Sequence, residues 1–356
     1  MKNKFGLYIH IPFCVKKCHY CDFNSIEWQS GLGKKFLKSL FVELKILAEE
    51  YDYPFLKSVF IGGGTPTCLG EDALSKLLEM IQKYFELDEK TTLTIEANPG
   101  TVDKDKLLML KESGINRLSF GVQSLINKEL EKLGRVHTAQ QAKQNYYLAR
   151  EVGFNNINLD LIFAVPGQRL EDWEKTLQTA LKLEPDHLST YNLKIESGTK
   201  FAKDLEKGLL KPVSEELDLK MYQFTIDYLI KNGYEHYEVS NFALPGYRSN
   251  HNQIYWKNER YLALGPGAHF YDGEVRGNNL ESISDYIAKI KTDELPIDNV
   301  KYLSREDKIV ESVILGLRLR EGIFLEEFNL RFGESITDIY NREINKLKEK
   351  DLIEIT

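Results

Sequence analysis

Cysteine is scarce in this sequence. Four occur among 356 residues, too few for the disulfide framework of a secreted chain, and three of them form an odd-numbered cluster. No run of about 18 apolar residues is present, so no membrane-spanning helix is expected. The N-terminus lacks the apolar stretch of a secretory signal, and a cytoplasmic protein with reduced thiols is the expectation. Low-complexity tracts and repeats at solenoid periods are also missing. Strong positive charge is absent too: 47 Lys and Arg against 54 Asp and Glu leave a formal net charge of −7. A broad nucleic-acid footprint is therefore not expected. With 42% apolar and 28% charged residues, the chain reads as globular, long enough for one large domain and a small one.

The three clustered cysteines fall within Cys14-Val15-Lys16-Lys17-Cys18-His19-Tyr20-Cys21. This C-x3-C-x2-C loop can turn three thiolates onto three irons of a [4Fe–4S] cube. The loop has no fourth cysteine, so one iron stays open to an exogenous ligand; an electron-transfer cluster normally closes that position. A zinc site that drafts His10 or His19 as fourth ligand is the competing reading. Cys68 lies outside the motif and reads as a small core or loop thiol.

The first two hundred residues alternate in period. Phe5 to Ile11 reads as a strand that ends at Pro12 and feeds the cysteine loop. Further strands are expected at 58–61, 92–97, 117–122, 157–163 and 187–195, with helices at 33–50, 71–85, 103–113, 138–152 and 170–183. Strands that alternate with helices make parallel β/α units, either doubly wound or in a barrel. A full eight-unit barrel takes about 250 residues, and six units end here by residue 195. The expected fold is therefore α/β, a partial (β/α)6 TIM-like barrel, over residues 1–240. A connecting region is expected at 241–300 and an accessory domain at 301–356. In the latter, Ile309, Val313, Ile314 and Leu317 share a helical face, Gly322-Ile323 breaks it, helices follow at 325–332 and 335–349, and 351–355 reads as a strand. That is a small, mainly α, winged-helix-like domain. Its balanced charges favour a lid or packing module over a DNA reader.

Functional groups of a barrel gather where its strands end. Those ends hold the Cys14 loop, Gly62-Gly63-Gly64-Thr65, Glu96, Gln123 and Asp160. The glycine run lets backbone approach a ligand closely. It is neither a Walker A nor a G-x-G-x-x-G sequence, so it points to no nucleoside triphosphate or NAD.

Tyr8-Ile9-His10-Ile11-Pro12-Phe13 running into C-x3-C-x-Tyr-C resembles the radical S-adenosylmethionine (SAM) superfamily. Within it, the sequence resembles the HemN-like branch, which holds oxygen-independent coproporphyrinogen III dehydrogenases and the HemW-type haem chaperones. The resemblance covers the whole chain. It implies a radical SAM barrel with a [4Fe–4S] cluster on Cys14, Cys18 and Cys21, and SAM on the open iron. It further implies that Tyr8 lies near the cluster-bound end of SAM and that Tyr20 packs on adenine. Gly63, Gly64 and Thr65 would offer backbone groups to the methionine moiety, and Glu96, Gln123 and Asp160 would bond the ribose or amino group. Arg135 would pair with the carboxylate in a fork that lysine cannot copy.

Two absences divide the branch. HemN proteins continue the motif as C-x3-C-x2-C-x-C and carry an N-terminal extension. Here Phe23 stands at the extra position, and the first strand begins near residue 5. Both match the HemW type, which implies haem binding and transfer to apo-haemoproteins. The alternative is a coproporphyrinogen III dehydrogenase or another radical SAM enzyme. His251-Asn252-Gln253-Ile254-Tyr255-Trp256 resembles a HemW signature in which the histidine is implicated in binding haem; neutral imidazole is a common axial ligand of haem iron. A histidine satisfied by hydrogen bonds, with Tyr255 and Trp256 packed on the barrel, is the plainer reading. His269 and His236 are further candidates. The resemblance implies an electron donor as a partner and leaves open a homodimer and peripheral contact with a membrane.

Overall fold

Leu7, Ile9 and Ile11 point to one face of strand β1 (Lys4–Ile11) and are fully buried, while Gly6, Tyr8 and His10 point to the other. Strands buried on both faces belong to a parallel sheet with helices on one side. The computed structural model, which describes residues 4–356, has that arrangement. Two short strands follow β1, namely β2 (Phe13–Cys14) and β3 (Ile26–Glu27). The barrel continues with β4 (Phe55–Gly63), β5 (Thr92–Ala97), β6 (Arg117–Gln123), β7 (Ile157–Phe163) and β8 (His187–Asn192). Then come β9 (Glu235–Glu238), β10 (Asn241–Ala243), β11 (Tyr261–Leu264), β12 (His269–Tyr271), β13 (Val275–Asn279) and β14 (Ile297–Tyr302). Twelve of these form one sheet, ordered β14-β13-β12-β11-β1-β4-β5-β6-β7-β8-β10-β9.

The six strands β1, β4, β5, β6, β7 and β8 pair in parallel and in sequence, as expected of six β/α units. Their outer faces bury Leu7, Val59, Ile61, Ile95, Leu118 and Leu159 in one core with the surrounding helices. Phe36, Leu40 and Leu44 of the helix Ser30–Glu50 and Leu74, Leu77 and Ile81 of Glu71–Tyr84 fill that layer. The inner faces carry Tyr8, Phe60, Glu96, Ser119 and Asp160, and so form a polar lumen.

Two expectations need correction. Residues 241–300 are not a connector. β10 pairs antiparallel with β8, and β11 pairs in parallel with β1, so this stretch extends both ends of the sheet. The fully buried run Tyr261-Leu262-Ala263-Leu264 covers an edge of β1 that would otherwise present unpaired backbone groups. The second correction concerns the C-terminus. Helices Arg305–Gly316, Leu325–Phe332, Ile336–Ile339 and Asn341–Lys348 pack around Ile309, Phe328 and Ile336. The expected helix 335–349 is thus broken at Tyr340. No strand forms at 351–355: Asp351 has φ of 54° and Leu352 is 65% exposed. The small domain is helical and has no wing.

One short helix, Asn250–Trp256, lies inside the lumen. Ser249 caps it by accepting from Asn252 N at 3.3 Å. Asn250 Nδ2 donates to Thr92 Oγ1 at 2.8 Å, and His251 reaches Ser58. A Cβ on Gly6 would lie 3.0 Å from Ile254. Gly6, Ser58 and Thr92 stand early in β1, β4 and β5, so this helix plugs the lumen at the N-terminal ends of the strands. The cysteine loop leaves from the opposite end.

Candidate functional site

The loop after β1 is held by backbone pairing. Phe13 pairs with Ile26 and Cys14 with Glu27. Gly64 N donates to Ile11 O at 2.8 Å and Thr65 N to Phe13 O at 2.7 Å. A Cβ on Gly64 would stand 2.5 Å from Phe13 O and 3.0 Å from Cys14 Sγ, so only glycine fits there. Thr65 Oγ1 donates to Cys14 Sγ at 3.7 Å, and Arg135 Nη1 donates to Cys18 Sγ at 3.3 Å. Lys17 Nζ draws back the far side of the loop through the carbonyls of Phe23 and Ser25, at 3.0 and 3.1 Å.

Burial raises the thiol pKa of Cys14 and Cys21, and the neighbouring Cys18 adds to both shifts. A bare thiolate trio is costly here, and a cationic iron centre relieves that cost. Among the described residues, no three Cys, His, Asp or Glu side chains converge as ligands of a single ion do. Three cysteines on one short loop, with no fourth beside them, suit attachment to three irons of a cube whose fourth iron stays open. The two histidines of the zinc reading are engaged elsewhere. His10 Nε2–H donates to Asn24 O at 2.8 Å, which leaves Nδ1 to accept from Tyr8 Oη at 2.9 Å. His19 Nδ1 lies 2.9 Å from Lys132 O, and its ring covers Gly134 beside Arg135.

Strand ends converge beside the loop. Gly63 N donates to Glu96 Oε2 at 3.1 Å, and φ of 107° at Gly63 admits no ordinary side chain. Arg135 Nη2 donates to Gly121 O at 2.7 Å and also to Asn98 Oδ1. Asn98 Nδ2 in turn donates to Thr65 Oγ1 at 2.7 Å. A Cβ on Gly121 would lie 2.5 Å from Asn98 Oδ1, 3.0 Å from Gln123 Nε2 and 3.3 Å from Arg135 Nη2. These three side chains therefore meet over a residue that has none. Gln123 ends β6 with φ of 66°. Tyr20 is packed among Leu133, Ile162, Val165 and Phe201, with Arg135 as an electrostatic neighbour.

Burial lifts Glu96 to about 8, with Asp160 as the second cause. Asp160 is also raised by burial, and its oxygens accept from Ser119 Oγ at 3.0 Å and Asn158 Nδ2 at 2.8 Å. A polar chain runs on from Asn158 through His187, at 2.6 Å, and Tyr237, at 2.7 Å from the ring, toward the lumen floor. Tyr8 faces the same space, with Glu96 as an electrostatic neighbour. Tyr8, Tyr20, Gly63, Gly64, Thr65, Glu96, Gln123, Arg135 and Asp160 thus belong to one continuous surround of the cysteine loop. A guanidinium fork at one side and carboxyls at the other suit the two charged ends of an amino acid. Asn98 and Gly121 were not among the expected residues. Asn98 has the strand-end position that marked the others, two residues past Glu96, but its Asn-Pro-Gly context reads as a turn.

His251 is a different case. It is 2% exposed, its Nδ1 lies 2.8 Å from Ser58 Oγ and its Nε2 2.8 Å from Tyr255 Oη. Its ring stacks on Phe60 with centroids 5.2 Å apart. Burial, helped by Arg117, lowers its pKa to about 3, so the ring is neutral. Neutrality suits a metal ligand, but both ring nitrogens are already engaged. His251 thus lies at the floor of the lumen, between Ser58 and Tyr255. His236 is stacked on Phe242 with centroids 4.4 Å apart, on the outer strand β9. His269 is exposed at the start of β12.

The sequence pattern of the radical SAM superfamily matches residues 8–180, and that of the HemN C-terminal domain matches 303–356. A Bacillus subtilis protein named heme chaperone HemW is 40% identical over 97% of this chain and 92% of its own length. The heme chaperone HemW of Lactococcus lactis is 37% identical over 97% of this chain and 90% of its own. Among solved structures, coproporphyrinogen III oxidase (HemN) from Escherichia coli, a radical SAM enzyme, superposes with a TM-score of 0.87. The two are 25% identical, and the match spans 100% of this chain and 85% of that one.

Proposed function

This chain belongs to the HemW family of the radical SAM superfamily, and on that premise we propose that it is a haem chaperone, receiving haem and passing it to apo-haemoproteins. The observation that carries this reading is the 40% identity, over nearly the full length of both chains, to a protein named heme chaperone. Phe23, 60% exposed at the position of the extra HemN cysteine, supports it over porphyrin synthesis.

Cys14, Cys18 and Cys21 would hold the cluster. When bound, it supplies one-electron chemistry at an open iron, with an external electron donor as partner. Around it, Arg135 would orient the carboxylate of SAM, held square by Asn98 and Gly121 O. Glu96 and Asp160 would take the amino or ribose groups, and Tyr20 would flank adenine. Thr65 and Gly64 seat Cys14 and exclude water from its sulfur. No described helix is long and apolar enough to cross a membrane, and reduced thiols fit action in the cytoplasm.

The test is anaerobic: load iron and sulfide, titrate haem, then add an apo-haemoprotein and, separately, coproporphyrinogen III with SAM and a reductant. Stoichiometric haem uptake and transfer without decarboxylation is the expected result. SAM-dependent decarboxylation with no haem uptake would replace this reading with the dehydrogenase.

A further inference from the structure

Arg117 opens β6 and lies on the lumen face of that strand, in step with Ser119. Strand register sets Tyr8 beside Phe60, Phe60 beside Thr94 and Thr94 beside Arg117, so these four residues form one layer. Glu96, Ser119, Asn158 and His187 form the next layer by the same pairing. It stands two residues, or about 7 Å, further along the strands toward the cysteine loop. Below lies the plug helix, whose His251 stacks on Phe60 and has Arg117 as an electrostatic neighbour.

Arg117 is 3% exposed, and its Nε is enclosed without a hydrogen-bond partner. Among the described residues, no acceptor pairs with its guanidinium. Tyr237, Asp160, Tyr191 and Glu96 act on it electrostatically, without a hydrogen bond. Asp160 is engaged elsewhere, since its oxygens accept from Ser119 at 3.0 Å and Asn158 at 2.8 Å. Arg135, beside the cysteine loop, shows the contrast: its donors are spent on Asn98, Gly121 O and Cys18 Sγ. A shielded charge without a partner is among the costliest groups a fold can hold. No packing role needs that charge, whereas its planar fork of donors matches a carboxylate. The space beside it is open, because Tyr191 on β8 is 42% exposed.

We propose that Arg117 anchors the carboxylate of a small organic acid in the lumen, with the apolar body of the acid against Tyr8 and Phe60. The two halves of the layer suit the two halves of such a molecule. Tyr8 and Phe60 present aromatic rings with centroids 6.3 Å apart on one side, and the guanidinium faces them from β6. A bound acid would lie one layer beneath Glu96, and so directly under the residues assigned to SAM, where a substrate of one-electron chemistry belongs. The site goes beyond the haem-chaperone reading and does not depend on it.

The experiment titrates the full-length, cluster-loaded, SAM-bound protein with benzoate and with butyrate, kept anaerobic and at constant ionic strength. Benzamide is the neutral control. Equilibrium dialysis reads affinity, and nuclear magnetic resonance of protein labelled with ¹⁵Nε-arginine reads the guanidinium, the Arg117 signal being assigned by its loss in Arg117→Lys. Expected are saturable binding of at least one acid but not of benzamide, and a shift of the Arg117 Nε–H signal on binding. Affinity should fall at least tenfold in Arg117→Gln, with Arg117→Lys between the two. The wild-type spectra report on the guanidinium directly, so a poorly folding glutamine variant leaves the test intact. No saturable acid binding, or binding that leaves the Arg117 signal unmoved, would overturn the proposal while haem uptake stays as it is. Weaker haem binding in Arg117→Gln with acid affinity unchanged would also overturn it, and would give the guanidinium to the haem.

Discussion

Arg135 divides its guanidinium among three acceptors: Asn98 Oδ1, Gly121 O and Cys18 Sγ. A lysine can satisfy part of such a fork but cannot hold its plane. Arg135→Lys is expected to weaken SAM binding at least tenfold, about 1.4 kcal/mol, while iron and sulfide content stay at the wild-type level. Equilibrium binding on the reconstituted protein checks this. Glu96 makes a pH-dependent prediction. Its folded pKa of about 8 exceeds the 4.5 of an ordinary glutamate because it is buried near Asp160. Between those values the native state keeps a proton that the unfolded state has released, so stability falls as pH rises through the window. Below 4.5 and above 8 this contribution is flat. Subtracting the Glu96→Gln curve from wild type, by urea unfolding of the apoprotein, should isolate that slope; a flat difference would refute it. A cationic amino group placed beside Glu96 favours the ionised form, so SAM affinity should rise as pH rises toward 8.

At the scale of single elements, the plug helix Asn250–Trp256 and the helix Ser30–Glu50 do comparable work from opposite sides of β1. His251 joins Ser58 of β4 to Tyr255 of its own helix and stacks on Phe60. His251→Ala leaves two shielded hydroxyls unpaired and a void under Phe60. It should cost about 2–4 kcal/mol of stability, measured as a lower denaturation midpoint. Loss of haem in that variant alone therefore does not identify an iron ligand. Glu43, from the helix Ser30–Glu50, accepts from Gly265 N at 2.9 Å, Asn279 Nδ2 at 2.6 Å and Tyr286 Oη. Burial lifts its pKa to about 7. Glu43→Ala strands three buried donors and should cost at least about 3 kcal/mol. Faster amide exchange at Gly265 and Gly267 should accompany it.

Across the whole molecule, the twelve-stranded sheet does not close on itself, and the helical C-terminal unit spans its two ends. On one side Arg320 N donates to Tyr237 O at 3.0 Å, and Glu238 bridges to Leu319. On the other, Arg276 of β13 pairs with Glu311 at 2.8 Å. Below them, Arg331 donates to Asn258 O at 2.7 Å and Lys257 O at 3.1 Å, and Arg318 lies over the Trp256 ring at 4.3 Å. Arg331→Ala should loosen this unit without touching the cluster. Hydrogen exchange is expected to rise across 305–332. Iron content and SAM affinity should stay unchanged; a parallel loss of either would show that the unit supports the cysteine loop as well.

Much of this architecture is local, and the sequence by itself determined that part. The short apolar runs of β1 and β4 to β8, helical spacing between them and the eight-residue cysteine loop each depend on neighbours in the chain. So does the strand-end rule that picked out Gly63, Glu96, Gln123 and Asp160. The tertiary structure decided what depends on distant pairings. Nothing near Tyr261–Leu264 says that this run pairs with β1. Asn98, Gly121 and Arg135 meet only because adjacent parallel strands end at the same height. The sequence singles out His251 by its motif and says nothing of what surrounds its ring. Packing across the fold decides that: Ser58, 193 residues away, and Tyr255 close over it, while His269 stands exposed at the start of β12.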